Sequence, residues 1–170
     1  MEQGYLHVYT GDGKGKTTAA MGLALRSLGA GFRVQIIQFI KNAPSSEISP
    51  LEKAGAGVFR YGNGLIFGRP ITEEDRQPIL KGLNHVKRIF TENSTDLLIL
   101  DEINVALGLQ LAEEALFFEI LSQRPPTMEV VCTGRRAPQA LLDTADLITE
   151  MQAQRHYYQQ GVASRLGIER

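Results

Sequence analysis

Short, nearly unbroken apolar runs alternate with longer amphipathic stretches from Gly4 to about Met151. "GYLHVYT", "RVQIIQFI" (Arg33 to Ile40), "DLLILDE" and "MEVVCTG" read as strands, with weaker candidates in "GVFRYG" and "LITEM". "DLLILDE" and "MEVVCTG" have no polar face, which marks strands covered on both sides. "KTTAAMGLALRSLGAG" reads as a helix rich in alanine and leucine, closed by Gly29 or Gly31. "TEEDRQPILKGLNHVKRIFTEN" reads as a long amphipathic helix: Thr72 caps it with Asp75, and Ile79, Leu83, Val86 and Phe90 share one face. "AEEALFFEILSQR" is a helix stopped by Pro125 and Pro126, and "APQALLDTAD" is one with Pro138 near its first turn. The tail from Gln152 is polar, and no element is assigned to it. Strand and helix alternating in this way predict an α/β fold, a mostly parallel sheet with helices on both faces in three layers. Ligands in such folds bind at the carboxyl ends of the strands. Three of the predicted strands end in polar residues there: "TGDGKGKT", "LDE" and "TGR".

Composition narrows the class. The 170 residues suit one domain spanning 1–170. Hydrophobic content is 43% and formal net charge −1, so nothing draws the chain to nucleic acid or an anionic membrane. No apolar run reaches the ~18 residues of a membrane span, and the N-terminus lacks the pattern of a signal peptide. The single cysteine, Cys132, excludes an internal disulfide and fits a reducing cytoplasm; in "MEVVCTG" it reads as a buried thiol.

The chemistry begins at "TGDGKGKTT". The phosphate-loop pattern G-x-x-x-x-G-K-[ST] is met by Gly15, Lys16 and Thr17, but Thr10 stands where its first glycine belongs. Gly11, Gly13 and Gly15 let the backbone turn its N–H groups inward as an anion nest, and the following helix points its positive end there. The binding segment is Thr10, Gly11, Asp12, Gly13, Lys14, Gly15, Lys16, Thr17 and Thr18. Lys16 and Lys14 bring charge to the phosphates, and the Thr17 hydroxyl is a Mg²⁺ ligand candidate. Asp101 and Glu102 leave a buried strand where such loops keep the acids that manage Mg²⁺. Arg135, after the turn at Gly134, can clamp a phosphate with its planar fork; Arg136 either joins it or faces solvent. The fold expected is therefore of the P-loop NTPase (RecA-like) kind.

From about Tyr5 to Glu169 the chain resembles the P-loop type of ATP:corrinoid adenosyltransferase. The resemblance rests on "TGDGKGKTTAA" with its unusual first position, "VQIIQFIK", "LLILDEI", "TGRRAP" followed by "LLDTAD", and "GVASRLGIE" after His156. It implies that the cobalt of a reduced Co(I) corrinoid attacks the 5′ carbon of ATP, forming the adenosylcorrinoid and releasing triphosphate. It also implies that ATP lies across the loop in a reversed sense, which gives a use for the altered opening. Lys16, Thr17 and Glu102 then carry the catalysis, with Thr17, Asp101 and Glu102 around Mg²⁺ and no general base required. In relatives, aromatic side chains after the third strand press on the lower face of the corrinoid. Phe67 in "YGNGLIFGRP" matches such a wedge, whereas Leu65 departs from it. His156 is a further corrinoid candidate, while His7 and His85 read as structural. A flavoprotein-type reductant and a homodimer are implied as well. Some relatives carry an N-terminal helix over the partner's site; this sequence starts a few residues before its first strand, so that cover is expected to be absent.

Two other readings compete. An ordinary P-loop ATPase would use Glu102 to activate water and form ADP without corrinoid. A regulatory nucleotide-binding module would hold ATP without turnover. A nucleic-acid motor is disfavoured by the lack of basic surplus and of a second motor domain.

Overall fold

The computed structural model describes residues 2–43, 45–64, 66 and 68–169. Its strands are β1 (Leu6–Thr10), β2 (Val34–Phe39), β3 (Gly57–Tyr61), β4 (Leu97–Asp101), β5 (Glu129–Thr133) and β6 (Leu147–Glu150). The helices are α1 (Lys16–Gly29), α2 (Ile48–Lys53), α3 (Glu73–Glu92), α4 (Ile103–Gly108), α5 (Glu114–Leu121) and α6 (Gln139–Thr144). A 3₁₀ turn at Tyr157–Gln160 follows. The strands form one sheet in the order β3-β2-β4-β5-β1-β6, and every pairing is parallel. The expected α/β sheet of the P-loop, RecA-like kind is therefore present.

Alternation along the strands divides the core in two. Leu98 and Leu100 of β4 pack with Ile37 and Phe39 of β2, with Val130 and Cys132 of β5, and with the α3 residues Ile79, Leu83, Val86 and Phe90. Leu97 and Ile99 turn the other way, onto Ala20, Met21 and Ala24 of α1 and Leu51 of α2. Successive side chains on a strand point to opposite faces, so a fully apolar strand needs both layers. The two strands with the weakest sequence signal, β3 and β6, are the two edges. All four β6 residues are exposed; an edge strand with little to bury carries little hydrophobic pattern.

Local signals held where they were chemically specific. Asp75 Oδ2 accepts the Thr72 N–H at 2.8 Å and so closes the start of α3. The chain leaves α1 through Gly31 at φ +81°. The sequence did not reveal α2 or α4. Each spans six residues, under two turns, too short for a periodic pattern. Ile103, Ala106 and Leu107 of α4 are buried by the sheet, and that packing makes the helix. Cys132 is fully buried, and burial pushes its thiol up to about 12. His85 is buried, with its Nδ1 3.0 Å from the Tyr61 hydroxyl and its ring edge-on to Phe59. His7 Nε2 lies 2.6 Å from Glu129. Both histidines thus contact side chains of the sheet or of the helix packed on it. No helix among the described residues is long and apolar enough to cross a membrane.

Candidate active site

The sheet order places β5 between the loop strand β1 and the acidic strand β4. The site therefore collects the carboxyl ends of β1, β5, β4 and β2. Its first part is the loop from β1 to α1. Gly11 has φ +94°, and a Cβ there would lie 2.5 Å from the Met151 carbonyl oxygen, so only glycine fits. The Gly13 N–H donates to that same oxygen at 2.6 Å. The loop is thus held from outside by the residue that follows β6.

Lys16 is buried, and its Nζ donates to the Gly11 and Gly13 carbonyls, both at 2.6 Å. Its ammonium is bound in the curve of the loop. Burial, and then the charge of Arg135, pull it below its ordinary value, against the opposing charges of Glu102 and Asp12. Thr10, at the odd position of the motif, is the last residue of β1 and is almost fully buried. Its hydroxyl accepts the Ala137 N–H at 3.3 Å, and its carbonyl accepts the Met151 N–H at 2.9 Å. The start of the loop is thus tied to the segments after β5 and β6, and the first of these ties needs the hydroxyl that glycine lacks.

Asp101 is the hub. It is fully buried at the end of β4, and four donors meet its carboxylate. Oδ1 accepts the hydroxyls of Thr17 and Thr133, both at 2.8 Å. Oδ2 accepts Lys41 Nζ at 2.7 Å and Gln38 Nε2 at 3.2 Å. A buried carboxylate is tolerated only when charge and hydrogen bonds compensate it, and here they come from α1, β5, β2 and the residue after Ile40. Ile40 itself adopts φ +67°, a turn that leaves Lys41 within reach of Asp101.

Glu102 follows in a left-handed conformation, φ +64°, with its N–H donated to Thr133 Oγ1 at 3.1 Å. Among the described residues its carboxylate has no hydrogen-bond partner. Burial, and then the neighbouring charge of Asp101, raise its carboxyl above the ordinary value, opposed by Lys41, Lys16 and Arg135. Directly after β5, Gly134 (φ +134°) turns the chain so closely over α4 that a Cβ would lie 3.1 Å from Asn104 and Val105. Asn104 Nδ2 donates to the carbonyls of Tyr9 (3.2 Å) and Gly134 (3.1 Å), joining β1 to this turn. Arg135 is exposed and has no ion-pair partner among the described residues; its field reaches both Lys16 and Glu102. Arg136 is also exposed and lines a surface recess of about 340 Å³ with Thr10, Gly11, Asp12 and Glu150.

Lys16, Thr17, Asp101, Glu102 and Arg135 are thus brought to one end of the sheet. Lys14 stands on the outer side of the loop, where it meets Glu169 and Tyr157. His156 Nδ1 accepts the Tyr158 N–H at 3.2 Å at the start of the 3₁₀ turn. Leu65 and Phe67 lie outside the described residues. Sequence reasoning missed Gln38, Lys41, Thr133 and Asn104 as members of the site. The signals were a lysine directly after the run "VQIIQFI" and a threonine closing an otherwise apolar strand. Neither says which carboxylate it will meet.

A glycine loop with a buried lysine, beside a threonine-bonded aspartate at the end of the strand one further along the sheet, defines a P-loop nucleotide-binding protein. Among solved structures, a KaiC-like protein from Pyrococcus horikoshii matches at a TM-score of 0.56 with 16% identity, covering 91% of this chain and 75% of its own; at that distance the likeness concerns the fold. The family model for ATP:corrinoid adenosyltransferase BtuR/CobO/CobP matches residues 2–170. The corrinoid adenosyltransferase of Escherichia coli K12 is 32% identical over 169 residues, 99% of this chain and 86% of the relative. That of Sinorhizobium is 32% identical over 173 residues, covering 99% and 81%. The chain belongs to the ATP:corrinoid adenosyltransferase family and is a transferase.

Proposed function

We propose that the segment Gly11–Thr18 holds the triphosphate of ATP while the cobalt of a Co(I) corrinoid takes the adenosyl group. The observation that carries this assignment is the bound ammonium of Lys16: a buried cation inside a ring of backbone, 2.6 Å from two carbonyls that a phosphate would replace as its partners. In the transfer, the cobalt lone pair forms the Co–C bond at the 5′ carbon. The C–O bond breaks, and its electrons leave with the triphosphate. Negative charge therefore grows on the phosphate next to the ribose. Fixed cations and N–H groups aimed at that charge stabilise the transition state more than the ground state. Lys16 and Arg135 act in this way, and Lys14 assists from the outer side. No side chain needs to remove a proton, so Glu102 is freed from the role of base. The reversed placing of ATP, with the ribose facing the corrinoid, accords with Thr10 being committed to the framework.

The donors present fit Mg²⁺, a hard cation usually held by one or two carboxylates and substrate phosphates. Thr17 and Glu102 would hold it, with Asp101 behind them orienting Thr17, and the ion would neutralise phosphate charge. Leu65, Phe67 and His156 are proposed to face the corrinoid. The whole chain acts as one domain in a cytoplasmic homodimer supplied with electrons by a flavoprotein-type reductant.

The test is product identity. Protein, ATP, Mg²⁺ and chemically reduced corrinoid are mixed without oxygen, and the phosphates and the corrinoid spectrum are analysed. Triphosphate with a light-sensitive adenosylated corrinoid is expected, and Lys16→Met should abolish both. ADP and phosphate formed regardless of corrinoid would overturn the assignment.

A further inference from the structure

The ending "GVASRLGIE" has no part in the chemistry above, yet it folds back onto the phosphate loop. Glu169 Oε1 accepts Lys14 Nζ at 2.8 Å and the Arg165 guanidinium at 3.1 Å. Its Oε2 accepts the Arg165 N–H at 2.8 Å. The Tyr157 hydroxyl donates to Glu169 and accepts from Lys14 Nζ at 3.1 Å. The Tyr157 ring lies under both cations, with the Arg165 guanidinium 4.8 Å and Lys14 Nζ 5.8 Å from its centroid. Hydrogen bonds from Arg165 and Lys14 hold the Glu169 carboxyl well below the usual carboxylate range.

This cluster is costly to build for stability alone. The Lys14 side chain is 38% exposed, and an isolated ion pair there contributes little once solvent screens it and the lysine loses its freedom. Joining residues 155 positions apart serves better to fix a flexible side chain. A lysine has four rotatable bonds and no preferred direction. Here two of its three donor hydrogens are committed, one to a carboxylate and one to a phenol, which leaves the third for a phosphate oxygen. Arg165 answers the charge of Glu169, so Lys14, Glu169 and Arg165 together keep a net charge of about +1 beside the loop, and the clasp does not cancel the field of Lys14.

We infer that Glu169, with Tyr157, is a positioning residue: it fixes the Lys14 ammonium at the rim of the loop as a second cation for the triphosphate. The inference rests on the reading of Gly11–Thr18 as the triphosphate site. The phenol sets direction and Glu169 supplies the anchor, so each acts on the nucleotide through Lys14.

The experiment is a double-mutant cycle on binding, with ATP and inorganic triphosphate as separate probes. Glu169→Gln and Lys14→Met are each expected to weaken both about 5–10-fold, about one decade in Kd. Glu169→Gln added to Lys14→Met should cost nothing more, and raised salt should shrink both effects. Tyr157→Phe, which keeps the ring under both cations, should lose about 2–5-fold through its hydroxyl alone. Thermal midpoints are measured in parallel, and Glu169→Asp should recover part of the affinity. Tighter binding by Glu169→Gln would overturn the inference by showing that Glu169 competes with phosphate. Full additivity with Lys14→Met, or no effect of Glu169→Gln while Lys14→Met weakens binding, would overturn it too. If Lys14→Met has no effect but Lys16→Met abolishes binding, the inference fails and the loop assignment stands. If Lys16→Met also binds normally, the loop assignment itself is wrong.

Discussion

Thr133→Val isolates the hydrogen-bonded centre of the site with almost no change of shape. The hydroxyl of Thr133 is fully buried, donates to Asp101 Oδ1 at 2.8 Å and accepts the Glu102 N–H at 3.1 Å. Valine keeps the branched volume and removes both bonds. A hydrogen bond to a charged group contributes about 1.5–3 kcal/mol, and a buried N–H left without a partner costs about 1–3 kcal/mol. Asp101 keeps Thr17, Gln38 and Lys41, so the carboxylate is not stranded and the lower half of each range applies. The sum is about 3 kcal/mol. For a domain of this size that lowers the thermal midpoint by roughly 6–12 °C. The assay is thermal unfolding followed by circular dichroism without nucleotide, alongside calorimetric titration with ATP and Mg²⁺. ATP should bind more weakly, because the Glu102 backbone loses the bond that fixes its left-handed turn. Thr133→Ser, which retains the hydroxyl, should restore affinity and most of the midpoint. A Thr133→Val protein that melts within about 2 °C of the wild type would refute the view that this hydroxyl holds the two acidic residues in place.

Glu102→Gln should stabilise the nucleotide-free and metal-free protein at neutral pH. Burial raises the folded carboxyl above its ordinary 4.5, so from 4.5 up to that raised value the folded state binds more protons than the unfolded one. Wild-type stability therefore falls as pH rises through that window, and urea midpoints should show the fall vanish in the variant; an unchanged fall would assign it to another group. Asp96, held down to about 2 chiefly by Arg33, has the opposite sign: its contribution is present above 3.8 and lost as pH drops toward 2. Arg33→Met should flatten that acid limb, and an unaltered limb would exclude the pair as its source. Gly11→Ala places a Cβ against the Met151 carbonyl at positive φ; a loss of about 1–3 kcal/mol in urea unfolding is expected, together with weaker ATP binding. Cys132 should resist thiol reagents in the folded protein and react only on unfolding, since it is fully buried and its thiol is pushed up to about 12. Labelling at the rate of a free thiol would mean that β5 opens far more often than its buried place in the sheet allows.

The legibility of the site followed the range of the interactions that make it. The phosphate loop could be read because its parts are local: Gly11, Gly13, Gly15, Lys16 and Thr17 lie within seven residues, and the helix that follows begins at once. Asp101 and Glu102 could be read as a pair at a strand end. Their different surroundings could not, because Asp101 is saturated by Thr17, Gln38, Lys41 and Thr133, which come from three other parts of the chain. The tail was recognisable as a motif but not as a contact, since Lys14 and Glu169 meet only after the sheet has folded between them.

The sequence by itself determined the alternation of strand and helix, the parallel sheet, the phosphate loop and the family, because hydrophobic period and loop chemistry are written in neighbouring residues. Only the tertiary structure decided that β5 stands between the loop and the acids, that Thr10 serves the framework, that Lys41 neutralises Asp101, and that Glu169 clasps Lys14. Those facts depend on strand order and on side chains 60 to 155 positions apart, and a charge or hydroxyl carries no mark of its partner until packing removes the water that would otherwise satisfy it.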